Sequence, residues 1–155
     1  HTGVMISLGG GPVYCESSKQ TLVTTSSTEA ELVGVGDGLN MALWTREFIK
    51  LQGYDIGPSR IYQDNTGAIA MALKGRAVAK HSKHISIRFF FVTDRIAAGD
   101  IEMVHMRTDR MIADLLTKPL IGAQYEKLRS SLLGYSPLPS VAEIPTDHPV
   151  RHSDL

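Results

Sequence analysis

The stretch Thr25-Ser26-Ser27-Thr28-Glu29-Ala30-Glu31-Leu32 constrains this chain more than any other. Its hydroxyl residues open a helical pattern in which Leu32, Val35, Leu39, Leu43 and Ile49 recur at mixed three- and four-residue spacing. Apolar residues so spaced share one helix face, and that face must be buried against another layer. The pattern predicts a long helix to about Leu51, stopped at Gly53. Ser26, Ser27 or Thr28 can cap its first turn by accepting bonds from amides that have no partner inside the helix. A hydroxyl residue followed by glutamate three positions on is also a capping-box pattern. Thr28 with Glu31 meets it, and Ser26 with Glu29 nearly does. Both glutamates therefore have a structural reading.

The layer under the helix is read from the flanking segments. Thr2 to Leu8 sets Val4, Ile6 and Leu8 against Thr2, Met5 and Ser7, a strand pattern. Gly9-Gly10-Gly11-Pro12 makes a turn and Val13-Tyr14-Cys15 starts a returning strand, so the two form a hairpin. No helix follows the glycines, which argues against a phosphate cradle. The return strand is expected to reach Thr24, with a break at Glu16-Ser17-Ser18. Beyond the long helix, Arg60 to Gln63 reads as a strand ending at Asp64-Asn65, and Thr66 to Leu73 as a helix closed by Lys74-Gly75. A third helix starts at about His84, with Ile85, Phe89, Val92 and Ile96 on one face. Ile101 to Met106 is a strand. Asp109 caps a helix containing Ile112, Leu115 and Leu116, which Pro119 ends, and Gln124 to Leu133 makes a last helix. Two strands followed by strands alternating with helices predict an α/β fold, a mixed sheet with helices packed on it. Residues 1–134 suit one domain. Residues 135–155 hold four of the seven prolines and few large apolar side chains, so they read as a disordered tail.

Composition bears mainly on partners. Sixteen basic and sixteen acidic side chains cancel, so any affinity for nucleic acid must come from local charge. A single cysteine, Cys15, excludes an internal disulfide and a cysteine-rich metal centre, and it fits a reducing compartment. No apolar run approaches the ~20 residues that a membrane helix needs, and no signal peptide is visible. The chain begins with His1, so it is expected to be a processed or excised piece of a longer protein.

Three carboxylates carry the chemistry. Asp64 follows a strand, at the end where α/β sheets place their ligands, although it could instead cap the next helix in competition with Asn65 or Thr66. Asp114 sits among apolar residues inside a predicted helix, where aspartate has poor propensity. Together with Glu31 these residues could converge at one sheet edge, where their mutual repulsion calls for a divalent cation. Hard oxygen ligands select magnesium or manganese. A second candidate is the basic stretch from Lys74 to Arg95, with Lys74, Arg76, Lys80, Lys83, Arg88 and Arg95 against Asp94. It suits phosphate contact or a solvated helix face. His81 and His84 have metal-ligand spacing but lack further ligands for zinc. His105 reads as a strand residue or as a proton shuttle near a phosphate. Phe89 belongs to the apolar stripe, and Trp44 to the core or to a partner surface.

From Gln20 to Leu120 the chain resembles the ribonuclease H domain of copia-type retrotransposon polyproteins. The matching runs are Ser26-Ser27-Thr28-Glu29-Ala30-Glu31-Leu32, Ala42-Leu43-Trp44, Asp64-Asn65 with Ala68-Ile69-Ala70, Ser82-Lys83-His84-Ile85 with Ile87-Arg88, and Ala113 to Leu120. The glycine hairpin and Ser17-Ser18-Lys19-Gln20 look alike too. The resemblance implies a ribonuclease H-like sheet and metal-dependent hydrolysis of RNA in RNA–DNA hybrids, with two metal ions activating a water and stabilising the leaving oxygen. Carried over by position, the family's second acid falls on Glu31 (Glu29 is its rival), the third on Asp64 and the fourth on Asp114. These would be catalytic residues and ligands of Mg2+ or Mn2+, with Lys80, Lys83 and Arg88 on the nucleic acid. The first acid has no counterpart, because it lies on a central strand that precedes the hairpin. Ser86 and Phe90 stand where the family usually has aspartate and often has histidine.

The resemblance thus predicts a sheet lacking its central strand, with two inner edges facing each other. Expected partners are an RNA–DNA hybrid, the reverse transcriptase part of the same polyprotein or another chain filling that place, or a swapped homodimer. An intracellular site follows, in cytoplasm, virus-like particle or nucleus. The alternative is a catalytically dead fragment that serves as a nucleic-acid- or protein-binding module.

Overall fold

The structure, a computed structural model, describes the backbone of residues 1–75 and 83–139 and their side chains except at 83–86. The chain runs β1 (Thr2–Ser7), β2 (Pro12–Ser18), α1 (Ser27–Leu51), β3 (Ser59–Gln63), α2 (Thr66–Lys74), α3 (Lys83–Ala97), β4 (Ile101–His105), two 3₁₀ turns (Thr108–Arg110 and Ile112–Leu116) and α4 (Gly122–Leu132). It is a mixed α/β architecture. The roles predicted for Lys80 and His81, and the tail from residue 140, lie outside the described residues.

Helix α1 is the floor of the molecule. Ser26 is its cap, with Oγ accepting from the Glu29 amide at 3.2 Å. Leu32 and Leu39 are fully buried and share a core with Ala72 of α2, Phe89 and Val92 of α3, and Ile101 of β4. Phe89 is a core residue, as its place on the stripe predicts. Trp44 is not: it is 63 % exposed and stacks on Phe48 at 5.5 Å on the outer side of α1.

Two two-stranded sheets lie on this floor. β1 and β2 are an antiparallel hairpin in which Thr2 faces Ser18, while β3 and β4 are parallel, with Ser59 opposite Ile101 and Gln63 opposite His105. Among the described residues no ladder joins the two sheets. Their directions over α1 differ. Thr2 packs at Gly34 and Val4 at Gly38, so β1 runs with the helix. The Gln63 amide reaches Glu31, whereas Arg46 donates to the carbonyls of Ile56 and Gly57 just before β3, so β3 runs against it. β1 and β3 are therefore antiparallel to each other. Each pairs on its far edge and turns its other edge to a cleft of about 1100 Å³ that all of β1 and all of β3 line.

Several expectations are corrected here. β2 stops at Ser18, because the ladder runs out where Ser18 meets Thr2, and the expected extension to Thr24 is irregular chain with Val23 91 % exposed. Thr2 shares the α1-facing side of β1 with Val4 rather than opposing it, and it accepts a 3.0 Å bond from Gln20, which also holds the Ala30 carbonyl. The helix expected after Asp109 is a pair of 3₁₀ turns. Asp109 does not cap them, and its side chain pairs with Arg107 at 3.0 Å.

The 3₁₀ turn Ile112–Leu116 is clamped to the hairpin. Ser17 Oγ donates to the Leu116 carbonyl at 2.6 Å, and a Cβ on Gly3 would lie 2.7 Å from the Ala113 carbonyl oxygen and 2.8 Å from Thr117 Cγ2. Backbone cannot give way as a flexible side chain can, so only glycine admits this approach. Gly3→Ala should destabilise the chain by about 1–3 kcal/mol, the usual cost of overpacking, as read by urea denaturation. A loss below about 0.5 kcal/mol, within the scatter of ordinary surface changes, would show that the clamp is not formed.

Candidate functional site

Two of the three singled-out carboxylates, Glu31 and Asp64, have their alternative role taken by a neighbour. Glu29, the rival of Glu31, is 3 % exposed. Its carboxylate accepts from the Thr25 amide at 2.8 Å and from Thr25 Oγ1 at 2.9 Å, closing the start of α1 one residue before the cap. Glu29 is thus a structural residue. Glu31, one residue pair further on, is exposed toward the cleft and accepts from Gln63 Nε2 at 3.3 Å.

Asp64 is likewise relieved of capping. Asn65 caps α2, with Oδ1 accepting from the Ala68 amide at 3.1 Å. Asp64 follows the last residue of β3 and accepts from Thr108 Oγ1 at 3.0 Å, which ties it to the first 3₁₀ turn. Asp114 is 6 % exposed, held by the second turn, and its Oδ2 receives the Lys118 ammonium at 2.8 Å. The end of the turn explains an aspartate there: the Lys118 amide closes an α-type turn on the Asp114 carbonyl at 2.8 Å, which brings ammonium and carboxylate together.

Glu31, Asp64, Asp114 and Lys118 all line the end of the cleft where β3 finishes. Their fields meet at Lys118. Burial pulls its ammonium toward the neutral form, but the hydrogen bond and charge of Asp114, reinforced by the charges of Asp64 and Glu31, outweigh this and raise its pKa above the ordinary lysine value. Asp114 alone bonds the Lys118 ammonium, and Asp64 and Glu31 act on it through space.

These residues fit a magnesium or manganese ion in donor type, since all are hard carboxylate oxygens. In spacing they do not: among the described residues no three acidic, histidine or cysteine side chains stand close enough to hold one ion. Lys118 is instead paired with Asp114, and sequence reasoning missed it. Its position four residues after Asp114, which sets an acid and an amine together on one turn, was the available signal.

The basic candidates are dispersed. Arg88 pairs with Asp37 of α1 at 2.8 Å and its stem covers Gly36, so it joins α3 to the floor while leaving its side chain 37 % exposed. Lys83 starts α3. His105 is exposed at the end of β4, next to Gln63 in the ladder.

The homologues of this chain are retrovirus-related Pol polyproteins of plant transposons. It is 31 % identical over 131 residues to the polyprotein of transposon RE1 of Arabidopsis thaliana, covering 84 % of this chain and 9 % of the relative. The polyprotein of transposon RE2 of the same plant is 33 % identical over 119 residues, 76 % of this chain and 8 % of its own. That of transposon TNT 1-94 of Nicotiana tabacum is 25 % identical over 125 residues, 81 % of this chain and 9 % of its own. The chain thus spans less than a tenth of these relatives. No family model matches it, and no solved structure does. No helix among the described residues is long and apolar enough to cross a membrane.

The structural role of Glu29, as against Glu31, is measurable. Glu29→Ala should cost about 1–2 kcal/mol, as loss of a cap does, whereas Glu31→Ala should stay within about 0.5 kcal/mol, as exposed sites do. Equal costs in thermal or urea melts would contradict the assignment.

Proposed function

We propose that this chain is the ribonuclease H portion of a retrotransposon polyprotein, and that it hydrolyses the RNA strand of RNA–DNA hybrids once a further strand lies in its cleft. The observation that carries this reading is that Glu31, Asp64 and Asp114, from three separate elements, all line one end of the cleft. The Pol polyprotein homologues support the retrotransposon origin.

The cleft suits one extended segment. β1 and β3 are antiparallel, so a strand between them can run against β1 and with β3, making both ladders at once. Its side chains facing α1 would cover Val35 and Leu39, and its last residues would arrive beside Glu31 and Asp64. The reverse transcriptase part of the same polyprotein, another chain, or a swapped second copy would supply it. Such a strand brings a fourth carboxylate to the three. Magnesium or manganese, when bound, would supply the charge that polarises the phosphate and activates water. Glu31, Asp64 and Asp114 would hold that cation only once such a strand had drawn them together, and Thr108 and Gln63 bond two of them. Lys80, Lys83 and the exposed part of Arg88 contact hybrid phosphates.

A second reading is a binding module without catalysis. The occupation of Asp114 by Lys118 favours it, since an acid paired with an ammonium is not available as a ligand.

The strand-filling claim predicts that the chain alone is inactive on hybrid and is oligomeric or poorly folded. Adding a segment with an apolar strand and one aspartate should restore cooperative melting and metal-dependent cleavage together. Light scattering and a hybrid-cleavage assay read both, with Asp64→Asn abolishing the restored cleavage. A monomeric chain that melts cooperatively and cuts hybrid unaided would contradict it.

The phosphate contacts predict that hybrid affinity falls steeply as salt rises, because each neutralised phosphate releases counterions. Replacing Lys80, Lys83 and Arg88 by glutamine should flatten that dependence, and salt-insensitive binding would leave those residues as a solvated face.

A further inference from the structure

After α4 the chain turns back on the helix it has just left. The Tyr135 amide donates to the Ser130 carbonyl at 2.9 Å, and Ser136 Oγ donates to Ser130 Oγ at 2.9 Å. Ser131 is buried, and its hydroxyl donates to the Pro137 carbonyl at 3.2 Å. A buried hydroxyl needs such a partner, so the serines fix where the chain goes next. A Cβ on Gly134 would lie 3.6 Å from the Gly10 carbonyl oxygen, which sets the reversal beside the hairpin turn. From there Leu138 and Pro139 reach the cleft between β1 and β3, where both are half-buried among its lining residues. The hairpin turn marks the end of the cleft at which β1 finishes and its antiparallel neighbour β3 begins. A strand running against β1 and with β3 would start there.

We propose that Leu138-Pro139 is a strap that covers the apolar mouth of the cleft and competes with the strand that fills it. The strap cannot replace that strand. Pro137 and Pro139 have no amide N–H to give, so only Leu138 between them can donate to an edge, and β1 and β3 stay without a ladder. An incoming strand must lift the strap, which it does by offering both ladders as well as apolar contact. Because the strap is tethered to α4, its effective concentration at the cleft is high, and it turns away segments that bring apolar side chains alone. The inference rests on the strand-filling reading for the identity of the competitor, and on Leu138 and its anchoring serines for the strap itself.

The probe is a fluorescein-labelled peptide of alternating valine and threonine with one aspartate, titrated into the full 155-residue chain and read by anisotropy. Leu138→Ser should tighten peptide binding on the order of fivefold, because the apolar cover that the peptide must displace is lost. Leu138→Met keeps an apolar side chain and should bind as the natural chain does. Leu133→Ser removes an exposed leucine just after α4 that does not line the cleft, and it should leave binding unchanged. The methyl resonances of Leu138 should move to random-coil values as the peptide is added. Equal or weaker binding by Leu138→Ser, equal tightening by Leu133→Ser, or Leu138 resonances that stay in place while the peptide binds would overturn the strap and leave the strand-filling reading intact. Peptide binding by none of these proteins would overturn the competition together with that reading.

Discussion

Among the described residues, the inner edges of β1 and β3 face each other across α1 with no ladder between them, and the rest of the structure depends on what spans that cleft. A strand ladder of ~4 bonds contributes ~0.5–1.5 kcal/mol net per bond. Two unmade ladders are therefore comparable with the ~5–15 kcal/mol that holds a whole domain together. Helix α1 takes up the burden. Its Gly34 and Gly38 admit β1 at close range, while Arg46, buried near its other end, fixes the loop that leads into β3 and lies 4.0 Å from Asp100. Exposed edges of this kind are templates for another strand, and proteins seldom leave them uncovered.

The candidate site straddles the same cleft. Asp114 belongs to the β1 side, through the Ser17 bond and the contact at Gly3. Asp64 belongs to the β3 side, and Glu31 to the floor between them. Thr108 ties Asp64 to the first 3₁₀ turn by a single polar contact, whereas Lys118 bonds Asp114 within its own turn. Sheet closure and site geometry are thus one variable: a strand that draws β1 and β3 onto itself also fixes how far apart the acids stand. That coupling gives a physical reason for three acids that are gathered without being chelated.

Much of this was legible from residues alone. The α1 stripe, the glycine hairpin and the strands before Asp64 and after Gly99 are strong local patterns, and two free edges facing each other follow from the resemblance. Legibility ended where tertiary contacts decide. Whether Glu29 or Glu31 is structural turned on which hydroxyl caps the helix, and Ser26 rather than Thr28 does so. β2 could not be bounded from residues 19–24, because its end is set by Thr2 across the ladder. The apolar run around Asp114 looks helical, but the turn is 3₁₀ and bends to meet Gly3. Trp44 reads as core or as a partner surface, and the outer face of α1 has no layer over it among the described residues.

Amide hydrogen exchange at β1 and β3 tests the central claim most directly, since these strands differ from β2 and β4 in facing the cleft. The cleft-facing amides should exchange fast in the chain alone. They should become protected, on both strands together, when an apolar strand-forming segment bearing one aspartate is added. Protection of those amides without any added segment, or protection of one strand only, would contradict the account.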